Sequence, residues 1–251
     1  MSRYRASLIH LLISAFLVGN VMGLVLWVWY PSPTFEAVGA FSIIRLLIGV
    51  DLVLGPLLTL IVFKQGKPGL KFDLTVIALT QIVALIYGTY TLYREKPDYM
   101  VFSIDRLEFV SRNLIDQSQI RYDELRNSEV TELIRVFARA PEDPAEFQVY
   151  LDSVVMDGKP DLEARPEFWE PWAAGTETIR NQMKSLDDLV TASAEDEDRI
   201  QDAIDKYSDA HPDLGLLPVG GIEENIGILM DRNTLEVLGV LHVNPWETKG
   251  S

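Results

Sequence analysis

The residue of this chain best placed to do chemistry is Asp51, the only acid set well inside the apolar stretch Ile43 to Phe63. An ionisable side chain at such a position is a functional hypothesis by default, because holding it in hydrocarbon is costly. Asn20 sits in an earlier apolar run, Leu8 to Tyr30. If the two runs cross a bilayer in opposite directions, Asp51 lies about 12 Å from one surface and Asn20 about 18 Å from the other, the same depth in a core of roughly 30 Å. A hydrogen bond between them is therefore expected. Pro56 lacks the N–H that Leu52 would bond in an α-helix, which predicts a kink just after Asp51 and backbone acceptors in need of partners. Two roles stay open for Asp51: fixing the packing of the spans through Asn20 or Arg45, or engaging a partner.

Two further patterns are candidates for partner binding. Ala15, Gly19 and Gly23 recur every fourth residue, as do Thr80, Ala84 and Gly88. Small residues at this spacing let helix backbones approach closely in lipid, whether the neighbour is another span of this chain or a helix of a partner. Phe168, Trp169 and Trp172, with Pro166 and Pro171, form the one aromatic concentration outside the apolar runs. It suits a core plug or a partner-binding patch.

Catalytic and cofactor motifs are missing. His10, His211 and His242 lack the i,i+4 pairing that puts two metal ligands on one helix face. No G-x-S-x-G elbow, P-loop or G-x-G-x-x-G turn occurs, and the pair Gly220–Gly221 suits a tight bend. The acidic run Glu195 to Asp198 reads as a solvated helix start that complements the dipole. Zero cysteines exclude a thiol nucleophile, a thiolate metal site and a disulfide scaffold. The expectation is a protein that is not an enzyme and holds no cofactor or metal.

The elements that must position these residues begin with three membrane spans. Leu8 to Tyr30 carries no formal charge over 23 residues, and about 20 apolar residues suffice to cross a bilayer. A cleaved signal peptide has an apolar region of only about 7 to 15 residues and a small-x-small site, whereas this run ends in WVWYP. It reads as an uncleaved anchor. Residues 43–63 and 74–93 are two further spans. Arg3 and Arg5 precede the first, the loop Pro31 to Ser42 has no basic residue, and Lys64, Lys67 and Lys71 follow the second. Lys and Arg favour short cytoplasmic loops, so the N-terminus is placed inside and everything after Tyr93 outside.

Charge divides the chain at the same place. Residues 1–96 hold eight Lys or Arg against four Asp or Glu, a net of 8 − 4 = +4, so the rest carries −15 − 4 = −19. An acidic second part repels phosphate backbones, and the basic groups of the first flank apolar runs, which argues against nucleic-acid binding. The expected organisation is a membrane domain, residues 1–96, and an extracytoplasmic α+β domain, residues 97–251, with hairpins near both of its ends that share one sheet. MVFSI and LEFVS flank a turn at Asp105–Arg106; Glu132 to Arg139 is a strand; Pro144 opens a helix through Val155. Ile179, Met183, Leu186 and Val190 give helical spacing, and Ser193 with Asp196 resembles a capping box before the apolar face Ile200, Ala203, Ile204, Tyr207, which stops at His211–Pro212. Ile226 to Met230 and Leu235 to Val243 form the closing hairpin around Asp231 to Thr234.

Several stretches together resemble the type IV pilin accessory proteins: HLLIS from His10, WYPSP after the first span, GVDLVLGPLLTLIVF from Gly49, KFDLTVIAL at the third span, RPEFWEPW from Arg165 and the terminal LGVLHVNPW. The resemblance runs over nearly the whole chain and is weaker between about Ser111 and Pro160; GVDLVLGPLLT is its most specific part. It implies a multi-pass protein of the inner membrane of Gram-negative bacteria that helps pilus assembly or tunes extension against retraction. The implied partners are the major pilin and, besides the lipid bilayer, other inner-membrane assembly proteins. It implies no established site residues. The competing expectation is a membrane-anchored periplasmic sensor or ligand-binding protein, for which the short cytoplasmic segments offer no output domain.

The orientation has a direct test. A reporter active only outside the cytoplasm should be active when fused after Ser251 and silent when fused after Gln65; the opposite pattern would reverse the assignment of both domains.

Overall fold

The computed structural model describes residues 2–30, 35, 38, 41–126, 133–191, 193–220 and 226–247, with the backbone alone at 41–43. They fall into two compact units that meet in sequence between Lys96 and Pro97.

The first unit contains three helices long and apolar enough to cross a membrane, Arg3–Trp29, Ile44–Val62 and Leu70–Glu95. Large apolar side chains such as Phe16, Ile61 and Tyr87 are left uncovered around them. That is the surface of a helix solvated by lipid rather than by water. Span one begins as α1 (Arg3–Leu24), capped by Ser2, whose hydroxyl accepts from the Arg5 N–H, and ends in a π-helical turn over Val25–Trp29. Span two joins α2 (Phe41–Ile48), a second π-helical turn over Gly49–Leu54, and α3 (Gly55–Val62). Span three is α4 (Leu70–Glu95). Gly66 and Gly69, both at φ +79°, supply the left-handed backbone that turns the chain from span two into span three.

Few polar contacts tie the bundle, and they concentrate where backbone groups need partners. Ser7 Oγ donates to the Pro56 carbonyl at 2.8 Å, and His10 Nδ1 and Thr59 Oγ1 are hydrogen-bonded at 2.6 Å, joining spans one and two. At the opposite end of span one the buried Tyr30 hydroxyl donates to the Leu92 carbonyl at 2.7 Å, and the Trp29 and Tyr93 rings lie 5.2 Å apart.

The second unit is α+β, with two sheets where one was expected. Strands β1 (Pro97–Ser103), β2 (Arg106–Ser111), β3 (Ile134–Ala138) and β4 (Trp169–Pro171) form one sheet in the order β2-β1-β3-β4, with β1 and β3 parallel. Strands β5 (Leu214–Pro218), β6 (Gly227–Asp231) and β7 (Val237–Leu241) form an antiparallel second. The first and last hairpins therefore do not share a sheet; a single parallel bridge, Leu107 to Val219, links the two. What they share is a core. Alternation along β1 sends Met100 and Phe102 to one face and Tyr99 and Val101 to the other. Met100, Phe102 and Phe137 meet Leu217, Ile228 and Met230, so the inner faces of the sheets pack on each other. The far face of the first sheet is covered by α5 (Pro144–Val155) through Tyr150, and that of the second by α7 (Ala194–Tyr207) through Ile200 and Ala203.

Local signals set most boundaries. Asp143 Oδ1 accepts from Ala145 N–H and Glu146 N–H at the start of α5, and Ser193 Oγ accepts from Asp196 N–H at the start of α7. The first hairpin pairs Ser103 with Arg106, so its turn is Ile104–Asp105, one residue earlier than expected, with Ile104 at φ 59°. The helical spacing of Ile179 to Val190 misleads: α6 (Thr176–Gln182) stops there, and Met183 is extended. Lys184 exchanges both backbone hydrogen bonds with Leu216, at 2.8 and 2.9 Å, and this pairing to β5 outcompetes helix continuation while keeping Met183, Leu186 and Leu189 buried. Glu132 and Gly221, assigned from sequence to a strand and a bend, lie outside the described residues.

The turn after β6 is held by Asp231, which is only 4% exposed. Its Oδ1 accepts from the N–H groups of Asn233 (2.7 Å) and Thr234 (2.9 Å), and Oδ2 lies 2.8 Å from His211 Nδ1. Burial alone would raise its pKa, but the bonds from Thr234, His211 and Asn233 together hold the carboxyl below the usual carboxylate range. A depressed folded-state pKa stabilises the fold fully above the unfolded value, about 3.9, and that stabilisation is lost as pH falls through the folded value. Residues 97–251 should express as a soluble unit with one cooperative melt, and Asp231→Ala should cost about 1–3 kcal/mol by orphaning these donors. Melting curves at pH 7 should show a deficit of about 3–10 °C that narrows below about pH 4; a deficit independent of pH would remove the charge from the account.

Candidate functional site

The site grows out of the break in span two. In a π-helical turn the N–H of residue i bonds the carbonyl of i−5, and Gly55 N–H bonds Val50 O in this way. The next donor in that series would be Pro56, which has none, so the carbonyl left open is that of Asp51 rather than the Leu52 carbonyl expected from α-helical counting. Gln81 of span three supplies the missing donor. Its Nε2 lies 3.3 Å from Asp51 O, 3.3 Å from Asp51 Oδ1 and 3.5 Å from Val50 O. Each contact is long, because one amide shares two hydrogens among three oxygens. The same three oxygens fix the orientation of the amide, turning Oε1 away from them.

Gly55 makes the approach possible. A Cβ at this position would run into the Gln81 amide. Gly55, Pro56, Asp51 and Gln81 are therefore one device: the glycine admits the amide, the proline frees a carbonyl, and the amide serves both that carbonyl and the acid.

The device leaves two acceptors over. Asp51 is 3% exposed and its Oδ2 has no hydrogen-bond partner; Gln81 is 9% exposed and its Oε1 likewise has none. Both residues line a partly open cleft of about 90 Å³ between spans one and three, walled by Ser14 and Val18 on one side and Leu85 on the other.

The remaining candidates separate by position. Asn20 does not reach Asp51; its Nδ2 donates to the Phe16 carbonyl of its own helix at 2.7 Å. Equal depth was not enough, because Asn20 lies six residues after Ser14 and two after Val18, the buried cleft residues of span one, and so a third of a turn or more around the helix from both. Gly19 is nine residues from His10 and points to the opposite side of span one, about 180° away. A Cβ there would meet nothing within 4 Å, while one at Gly23 would touch only Trp27 of the same helix, at 3.4 Å. Ala15 and Gly19 are thus left exposed by the described residues, and Gly23 is half-buried. On span three the stripe is partly used: a Cβ at Gly88 would lie 3.1 Å from Leu47 Cδ1, Ala84 is half-buried and Thr80 exposed. In the second unit Trp169 is a core residue, 1% exposed, with its ring 4.8 Å from that of Tyr99. Trp172 is half-buried against the inter-sheet core. Phe168 packs edge-on to Tyr150 at 5.6 Å beneath the Arg165 guanidinium, beside a cleft of about 430 Å³ along α5.

Sequence reasoning did not single out Gln81, Gly55 or the His10–Thr59 pair as site residues. The available signals were the Gly55–Pro56 pair next to an intramembrane acid and a carboxamide in the middle of an apolar span.

The family model described as "Fimbrial assembly protein FimB" matches residues 1–39. Two fimbrial assembly proteins of Dichelobacter nodosus, of serogroups I and E1, are each 30% identical over 183 residues, which is 71% of this chain and 70% of the relative. A third, of serogroups C1 and C2, is 36% identical over 114 residues, 43% of this chain and 86% of that protein. No solved structure matches. A 183-residue alignment is longer than the first unit and must take in part of the second, so the likeness is not one of apolar spans alone, and the chain belongs to the FimB family of fimbrial assembly proteins.

Proposed function

We propose that this chain is an inner-membrane protein of type IV pilus biogenesis that binds pilin and assists its assembly or tunes pilus extension against retraction. Its N-terminus is cytoplasmic and its α+β unit periplasmic. The observation that carries the reading is the cleft between spans one and three, where a buried acid keeps an oxygen free inside a bundle whose apolar faces are otherwise closed by lipid. A bundle needing Asp51 only for its own packing would have spent both oxygens. Membership in a fimbrial assembly family supplies the process. A pilin awaiting assembly is a single helix in the membrane with a folded head outside, and this chain offers a membrane surface and a folded unit to those two parts. Other assembly proteins of the same membrane are further partners on this reading.

Deleting the gene should lower or alter surface piliation, and the wild-type chain should restore it. Photoreactive residues placed singly at Leu17, Gly19 and Phe168 of the full chain should capture the major pilin in membranes from at least one position. Normal pilus number after deletion, together with no pilin adduct from any position, would refute the reading.

A further inference from the structure

We propose that the cleft between spans one and three receives an N–H donor, an amine or amide carried by the pilin transmembrane helix, on Asp51 Oδ2 and Gln81 Oε1. This inference rests on the pilin-binding reading above and names the chemistry of its contact. Two residues that line one cleft each keep a buried oxygen without a partner, and Gln81 Nε2 is already shared among three other oxygens. Of the neighbouring polar groups, His10 Nδ1 is bonded to Thr59 and Ser7 to the Pro56 carbonyl, while the Ser14 hydroxyl on the cleft wall bonds neither oxygen. Neither oxygen receives a donor in the structure, and a group with two or more N–H bonds answers both at once.

Size and access define the rest. A cleft of about 90 Å³ suits the end of one side chain. Its rim residues Ile13, Leu17 and Ile82 are exposed to the surroundings of the spans. An occupant entering past them comes from within the bilayer, so it is borne on a transmembrane helix.

The test uses the full chain in membranes of cells making their own pilin, with photoreactive residues at Leu17 or Ile82 on the rim and at Gly19 on the opposite face. Rim adducts with pilin, normalised to the amount of chain in the membrane, should fall at least about tenfold in Asp51→Asn, which replaces an acceptor by a competing N–H donor. Asp51→Glu, which keeps a carboxyl group, should retain most of the yield. Ala78→Leu fills the cleft from span three and leaves both acceptors in place, so it should reproduce the loss even if Asp51→Asn accumulates poorly. Rim adducts unchanged in Asp51→Asn and Ala78→Leu would overturn the proposal. Pilin captured from Gly19 but never from the rim would overturn it too while leaving pilin binding intact. An absence of pilin adducts from every position would remove the pilin-binding reading and this contact with it.

Discussion

Hydrocarbon cannot hydrogen-bond a free carbonyl, and the first unit is organised by that constraint. Span two interrupts its own ladder with Pro56, so the structure must bring a donor from another helix to the place where the ladder fails. Gln81 meets that need, reaching the Asp51 carbonyl at 3.3 Å across the position where Gly55 has no side chain. Once the amide is there, spans two and three are held at one depth and one rotation. The acid is held as well, since its Oδ1 accepts from the same nitrogen. Ser7, donating to the Pro56 carbonyl, fixes span one against the same break.

These few bonds explain why the bundle is small yet specific. Apolar packing in lipid discriminates poorly between rotations of a helix, because the tails solvate every face alike. Specificity comes from polar contacts at both ends, His10 with Thr59 near the start of span one and Tyr30 with the Leu92 carbonyl near its end. Between them the chain leaves uncovered the faces it does not need, including the Gly19 side of span one.

Patterns that depend on neighbours in sequence were legible. The three spans, the cap at Ser193, the helix from Pro144 to Val155 and the hairpin around Asp231 all follow from local chemistry. Relations set by distant partners were not. The spacing of Ile179, Met183, Leu186 and Val190 fits a helix, but the backbone of Lys184 pairs with Leu216 and breaks it. Strand β5, LGLLP, is short and apolar and carries no period by which to tell a strand from a loop. Asn20 shared a depth with Asp51 and still missed it, because depth follows from counting residues whereas rotation about the helix axis is set by packing. Gln81 was visible as a polar residue but not as a partner, since the i−5 pattern that frees the Asp51 carbonyl appears only once the π-helical turn is seen.

The two buried acids of this chain sharpen the distinction between structure and function. Asp231 and Asp51 are equally hidden, 4% and 3% exposed. Asp231 has Oδ1 saturated by two backbone N–H groups and Oδ2 paired with His211, so its environment demands nothing more and its role is to hold a turn. Asp51 receives a single shared donor on Oδ1, and its other oxygen is buried without a partner among spans solvated by a medium far less able than water to supply one. A buried acceptor left open is destabilising, and a membrane helix can avoid the cost with Asn or Leu at the same position. The imbalance between these two sites is what the proposed contact rests on: of the two acids, Asp51 alone keeps an oxygen without a partner among the described residues.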